Sequence, residues 1–149
     1  MIKDEITHLN LTGKNEEDLN IISAYLQDSI VLTKDITFLR KNKSFIIMAN
    51  RFMWEDVEKG LFREPKRIRT AIKFENVINV KSKNIDQKNT NETLEFLAMK
   101  CDTSNDKNKK IKIFFAGNSA IFLILEAIEI IMDDLGEPWN VKSIPKHEF

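Results

Sequence analysis

The stretch that decides the fold is Phe45 to Asp56, FIIMANRFMWED, in which an apolar run meets an Asn-Arg pair. Successive side chains of a β-strand point to opposite faces, so Asn50 and Arg51 would lie on different faces of this strand. Both faces are mostly apolar, which is typical of a strand inside a sheet that is covered on each side. The stretch therefore predicts a central strand that carries Asn50 and Arg51 into a partly buried setting.

Two interpretations of this polar pair are open. In the first, Asn50, Arg51 and Trp54 line a ligand site, because a guanidinium offers a fork of donors that fits a carboxylate or a phosphate. In the second, Arg51 pairs with an acidic side chain of the same domain and Asn50 bonds to backbone, because buried polar groups need partners. Structural ion pairs are the commoner outcome, so the second interpretation is favoured.

Composition narrows the class of protein. The chain has 149 residues, which predicts a single domain over 1–149. It carries 23 basic and 23 acidic residues, so no overall field draws it to nucleic acid or to an anionic membrane. The single Cys101 excludes an internal disulfide and a multi-cysteine metal site. With no signal-like N-terminus and no apolar window of about 20 residues, we expect a cytoplasmic protein that does not contact the membrane.

The remaining pattern predicts one helix and several strands. Asn15 can cap a helix over 16–28, whose first turn is acidic and whose apolar stripe includes Leu19 and Ile22. Alternating or apolar runs predict strands at 36–40, 67–74, 77–83, 94–101 and 111–116, with a weaker one at 8–12. The predicted fold is α+β: the N-terminal helix packs on a mainly antiparallel, curled or barrel-like sheet of about seven to eight strands.

The segment 120–135 fits two structures. Glu126, Glu129 and Asp133 share a helical stripe, and Gly136 with Pro138 would end a helix. The apolar residues of 121–132 instead alternate as in a strand, with one change of phase that a bulge would absorb. Periodicity alone does not decide between them.

Four stretches carry a family resemblance: DLNIISAYLQDSIV (18–31), SFIIMANRFMWE (44–55), VINVKSKNID (77–86) and IFFAGNSAIFLILEAIEIIMDDLGEPW (113–139). On these the chain resembles the alphaproteobacterial domain-of-unknown-function family DUF2948. The resemblance covers nearly the whole chain and implies no activity. It implies a long bulged strand at 120–133, although Phe122 and Ile124 are apolar where the family pattern is polar, which leaves the helix as an alternative.

One charged cluster has a regular geometry. Alternation places Arg67, Arg69 and Lys73 on one strand face, a plausible ladder for phosphates, and Lys81 and Lys83 would extend it if the next strand paired alongside. The alternative is a solvated sheet face crossed by acidic partners. Since no aromatic residue alternates with these cations, a stacking platform for single strands is not predicted there.

Other polar residues give no catalytic or metal motif. His8 and His147 lie in weakly patterned terminal segments, and the acidic neighbour of Cys101 disfavours a thiolate. Asp133 and Asp134 would point to opposite faces of a strand, so they would not share one cation. We therefore expect no cofactor and no metal.

The leading hypothesis is a small non-enzymatic binding or accessory protein that acts through protein contacts or a small anionic ligand. One alternative is a nucleic-acid or nucleotide binder that uses the basic strand face. The other is an enzyme with an unrecognised site near Asn50, Arg51 and Glu55. Neither the ligand nor the partner follows from the sequence.

Overall fold

The computed structural model describes residues 8–58, 64–102 and 107–145. Its strands are β1 (Asn10–Gly13), β2 (Ile30–Leu39), β3 (Ser44–Phe52), β4 (Lys66–Phe74), β5 (Val77–Lys83), β6 (Thr93–Asp102), β7 (Lys109–Phe115), β8 (Ser119–Leu125) and β9 (Ile130–Asn140). Two α-helices, α1 (Glu16–Leu26) and α2 (Trp54–Glu58), and one 3-10 turn at Arg40–Asn42 complete the elements.

The nine strands form one unclosed sheet in the order β1-β9-β4-β3-β2-β6-β7-β8-β5, with every pair antiparallel. We call β1, β9, β4, β3 and β2 the first half and β6, β7, β8 and β5 the second half. The halves join laterally where Ile30–Leu32 of β2 pairs with Thr93–Glu95 of β6. They also join along the chain, because β4 continues into β5 and β8 continues into β9 at a shared corner.

Backbone hydrogen bonds hold this corner together. The N–H of Glu75 donates to the carbonyl of Glu129, and the N–H of Glu126 donates to the carbonyl of Asn76, both at 2.9 Å. Asn76 has φ of 60°, a left-handed conformation that asparagine tolerates better than most residues. The bend turns the inner faces of the two halves toward one core.

Helix α1 covers this core on one side. The side chain of Asn15 accepts from the N–H of Asp18 at 2.8 Å, which is the predicted N-cap. Leu19, Ile22 and Leu26 are buried, and the hydroxyl of Ser23 accepts from the N–H of Met99 at 2.9 Å. The helix therefore packs through an apolar stripe and one buried hydrogen bond to β6.

The sheet differs from the prediction in strand number and in closure. The sheet has nine strands rather than seven or eight, and it is open rather than barrel-like. Strands make up most of the regular structure of the described residues. The strand predicted over 45–56 lies between β2 and β4, as expected of a central strand, but it ends at Phe52. Trp54 to Glu58 form the short helix α2 instead.

Segment 120–135 is extended, so the helix alternative is wrong. It forms two strands, β8 and β9, rather than one bulged strand, and the change of phase falls in the connection at 126–129. β9 also runs to Asn140, beyond the end of that segment. The reason is a register shift between β9 and β4 around Gly136 (φ 72°), so that Gly136 and Pro138 lie in an irregular part of a strand rather than beyond a helix.

Candidate functional site

Arg51 is the centre of a buried ion-pair cluster at one end of the first half. Its side chain is 0% exposed. Nε donates to Oδ1 of Asp134 at 3.1 Å, and Nη2 donates to Oδ2 of Asp134 at 2.7 Å and to Oε2 of Glu55 at 2.9 Å. Nη1 donates to Oε1 of Glu55 at 2.8 Å and lies 3.5 Å from the carbonyl oxygen of Phe52. All five guanidinium N–H groups are therefore directed at acceptors.

The carboxylate of Asp134 is equally well satisfied. Besides Arg51 it accepts from the hydroxyl of Thr70 at 2.7 Å and from the N–H of Leu9 at 2.9 Å. The ring of Tyr25 on α1 lies against the cluster, with its centroid 5.9 Å from Cζ of Arg51. The cluster joins side chains of β3, β4, β9, α1 and α2 at one place. Its buried charges therefore hold these elements together.

The electrostatics agree with a permanently charged arginine. Burial by itself lowers the pKa of Arg51, but the hydrogen bonds and charges of Glu55 and Asp134 outweigh it and raise the pKa above its usual value. One guanidinium thus faces two carboxylates. A ligand carboxylate or phosphate would have to displace one of them to reach Arg51.

The other predicted site residues near β3 lie on the opposite face or at the strand end. Asn50 points away from Arg51, as alternation requires, and its Oδ1 accepts from Arg69 at 3.1 Å rather than bonding to backbone. Trp54 donates from Nε1 to the carbonyl of Gln27 at 2.8 Å and packs edge-on against Phe52. Asn50 and Arg51 thus face opposite sides of β3, and Trp54 lies beyond its end at the start of α2.

Three basic residues of β4, Arg67, Arg69 and Lys73, face acceptors within the chain. Arg67 donates to the carbonyls of Asp28 and Asn50, both at 3.0 Å, and burial lowers its pKa despite the nearby carboxylates of Asp28 and Glu95. Arg69 pairs with Asp35 at 3.0 Å. Lys73 pairs with Glu75 at 2.9 Å. This arrangement corresponds to a sheet face crossed by acidic partners, and the ligand-binding role of these residues stays a prediction.

Lys81 and Lys83 do not extend that ladder. β5 pairs with β8 and not with β4, because the chain turns the corner into the second half instead of forming a hairpin. The two lysines lie on the outer face of the second half, where they meet a different set of side chains.

Sequence reasoning missed a cleft between β2 and β5. Its volume is about 420 Å³. The walls and floor are apolar and consist of Ile36, Phe38, Phe45, Val80, Ile85 and Ile121. The rim is polar and consists of Thr33, Lys34, Ser82, Gln87 and Thr90. No local motif marks it, since its residues come from four strands, β2, β3, β5 and β8, and from the loop 84–92.

The loop 84–92 borders the cleft and is held against β2. The N–H of Thr33 donates to the carbonyl of Glu92 at 3.0 Å, and the N–H of Lys34 donates to the carbonyl of Thr90 at 3.2 Å. The hydroxyl of Thr33 donates to the carbonyl of Asn89 at 2.7 Å. The loop thus occupies the edge of β2 that β6 leaves free.

Histidines and acidic clusters provide no metal centre in 8–58, 64–102 and 107–145, where no group of three His, Cys, Asp or Glu residues is placed to hold an ion. His8 lies with Nε2 2.6 Å from the carbonyl oxygen of Gly136, and His147 falls outside the described residues. Asp133 and Asp134 are consecutive residues of β9 and face opposite sides of the sheet, as predicted. Among the described residues, no helix is long and apolar enough to cross a membrane.

Comparison with known proteins gives a family and nothing beyond it. No curated protein and no solved structure matches the chain. The family described as "Protein of unknown function (DUF2948)" matches residues 9–147, which include every strand and helix described above. The chain therefore belongs to the DUF2948 family.

Proposed function

We propose that the protein is a non-enzymatic binding protein whose cleft between β2 and β5 takes a small amphipathic anion. The observation that carries this proposal is the combination of an apolar floor with a single cationic side chain, Lys34, on the rim. The volume of about 420 Å³ falls in the range of small-molecule sites, about 300–1,000 Å³.

The apolar part of the ligand would lie between the two halves of the sheet. Phe45 and Ile121 line the cleft although each is only 2% exposed, so the cleft reaches down to the hydrophobic core. Ile36, Phe38 and Val80 are half-buried, so a ligand would remove further apolar surface from water. Burial of that kind contributes about 25 cal/mol per Å².

The charged part of the ligand would lie at Lys34. Its side chain is exposed and forms no ion pair within the described residues, whereas the neighbouring Asp35 pairs with Arg69 on the opposite face. The carboxylates of the bordering loop are engaged locally: Asp86 accepts from the N–H of Lys88, and Glu92 accepts from the N–H of Asp86. The rim therefore favours an anionic head group over a cationic one.

Three probes with one chain length test this assignment. Decanoate, decanol and decylamine, each below its micelle concentration, would be titrated by isothermal titration calorimetry at pH 7. We expect saturable binding of decanoate, weaker binding of decanol and the weakest binding of decylamine. Lys34→Glu should weaken decanoate binding at least tenfold, since a charge-assisted hydrogen bond contributes about 1.5–3 kcal/mol and about 1.4 kcal/mol is tenfold in affinity. It should leave decanol binding unchanged.

Lys41→Glu is the matched control, because Lys41 is exposed in the 3-10 turn that follows β2 and does not line the cleft. It should leave all three affinities unchanged. Val80→Trp, which fills the cleft, should abolish decanoate binding while circular dichroism shows the parent fold. The proposal is wrong if none of the probes binds saturably, or if Lys34→Glu and Lys41→Glu behave alike.

A further inference from the structure

The outer face of the second half carries lysines and phenylalanines in cross-strand rows. One row crosses β6, β7, β8 and β5, each residue being the register partner of the next: Lys100, Lys112, Phe122 and Lys81. Neighbouring rows hold Ala98, Phe114, Ala120 and Lys83, and Asp102, Lys110, Ile124 and Asn79. Side chains alternate between faces, so these rows share the outer face while Ile113, Ile121 and Leu123 enter the core. We call this surface the lysine-phenylalanine face.

The lysine-phenylalanine face has a strong local positive charge in a chain with no net charge. Among the described residues its three rows hold five lysines and one carboxylate, Asp102, whose Oδ2 lies 4.0 Å from Nζ of Lys112. Lys83 lies 3.5 Å from the amide oxygen of Asn118, a neutral partner. Lys81 and Lys100 form no ion pair within the described residues. The basic residues of β4 are different, because Arg69 and Lys73 each face a carboxylate.

Phe122 lies between its cross-strand partners Lys112 and Lys81, and Phe114 lies two residues from Lys112 on β7. The two phenylalanines border two depressions. One has a volume of about 190 Å³ and is lined by Lys81, Lys112 and Phe122. The other has a volume of about 450 Å³ and is lined by Lys83, Phe114 and Phe122. Both rings are half-buried and lie on diagonal positions of adjacent strands, about 7–8 Å apart between Cα atoms. That leaves apolar ring surface flanked by ammonium groups.

We infer that the lysine-phenylalanine face binds single-stranded nucleic acid. Bases would stack on Phe114 and Phe122, and Lys81, Lys112 and Lys100 would contact the phosphates on either side. A positively charged surface with aromatic rings is the arrangement that binds single strands without reading sequence. A duplex presents no free base faces to the rings and would gain only the phosphate contacts.

This inference is independent of the cleft between β2 and β5. Val80, Ser82 and Ile121 face the cleft, while their chain neighbours Lys81 and Phe122 face outward. A failure of either proposal therefore leaves the other intact.

Fluorescence anisotropy with labelled oligonucleotides of about 12 nucleotides tests the inference. Oligo-uridine, oligo-thymidine and a mixed-sequence duplex would be titrated with the full chain at several salt concentrations. We expect both single strands to bind more tightly than the duplex. The logarithm of affinity should fall with the logarithm of salt concentration, with a slope of about −0.7 for each phosphate contacted.

Two variants separate the two contributions. Lys81→Glu/Lys112→Glu should weaken binding more than tenfold and flatten the salt slope. Phe122→Leu keeps an apolar side chain but removes the ring, so it should weaken binding about tenfold and leave the salt slope unchanged. Circular dichroism should show the parent spectrum for both.

Lys14→Glu/Lys41→Glu is the control with the same change of net charge, at two exposed lysines outside the lysine-phenylalanine face. It should retain parent binding. The inference is overturned if the parent does not bind single strands at low salt, if the duplex binds as well as they do, or if the control loses as much affinity as Lys81→Glu/Lys112→Glu. Self-association of the parent through this face, with no oligonucleotide bound, would likewise overturn it in favour of a protein contact.

Discussion

Arg51 and Asp134 lie 83 positions apart in the chain and form a bidentate pair, with Nε–Oδ1 at 3.1 Å and Nη2–Oδ2 at 2.7 Å. They belong to β3 and β9, which do not pair with each other because β4 lies between them. Thr70 of β4 contributes a third group, a hydroxyl bound to the same carboxylate. The residue that the sequence marks as a ligand-site candidate is thus fully engaged in holding three strands together.

Removing one partner of this pair should be costly. Asp134→Asn leaves a buried guanidinium facing an uncharged amide, and loss of one partner from a buried ion pair typically costs about 3–5 kcal/mol. We expect a fall of that order in the free energy of unfolding, measured by urea denaturation. Arg51→Met combined with Asp134→Asn should cost less than the sum of the two single changes, because the second change removes the carboxylate that Arg51→Met alone would leave buried without a cation.

Asp133→Asn provides the control for this cycle. Asp133 is adjacent in sequence but faces the other side of β9 and is partly exposed. Asp133→Asn should change the free energy of unfolding by no more than about 0.5 kcal/mol. Equal effects at positions 133 and 134 would contradict the structural role assigned to the Arg51–Asp134 pair.

The cap of α1 should contribute measurably to stability. Asn15→Ala removes the side-chain acceptor of the Asp18 N–H, 2.8 Å away, and loss of such a cap costs about 1 kcal/mol. The same urea measurement should show this loss. Asn15→Ser, which keeps an acceptor, should recover most of it. If alanine and serine gave the same stability, the cap would not contribute.

Cys101 should react slowly with alkylating agents at neutral pH. Burial and the negative charges of Glu16 and Asp102 raise the pKa of its thiol, although Lys109 acts in the opposite direction. The thiolate is the reactive form, so the rate of iodoacetamide alkylation should rise at a higher pH than for an unhindered thiol. The chain has a single cysteine, so intact-mass measurements report this site alone.

Glu16→Gln should move that pH–rate profile to lower pH by removing one unfavourable charge. Glu17→Gln, the same change one position along α1, serves as the control and should leave the profile in place. A parent profile at or below that of a free thiol would refute the raised pKa.

Elements whose signal is local followed from the sequence. The helix predicted over 16–28 is observed as Glu16–Leu26, because its cap, acidic first turn and apolar stripe lie within a dozen residues. The strand at 67–74 is observed as Lys66–Phe74 because strict alternation identifies it. For segment 120–135 the residues alone fit a helix as well as a strand, and the family resemblance favours the extended structure that is observed.

Features that depend on residues far apart in the chain could not be predicted from the sequence. Gly136 and Pro138 suggested the end of a helix, and only the pairing of β9 with β4 shows that they lie in an irregular stretch of strand. Lys81 and Lys83 would extend the basic face of β4 only if β5 paired alongside β4. The corner at Glu75 and Asn76 sends them to the other half of the sheet, beside Phe122.

By itself, the sequence determined that the chain has an N-terminal helix, a run of antiparallel strands and one strand that carries Asn50 and Arg51 into the interior. Propensity, capping and alternation depend on a few neighbouring residues, so they can be recognised in the sequence without knowledge of the fold. Only the tertiary structure decided that Arg51 pairs with Asp134, that the open sheet leaves a cleft at Lys34, and that Lys81 and Lys112 flank Phe122. Each of these relationships joins strands far apart in the chain, and their register is fixed by packing of the whole core rather than by local pattern.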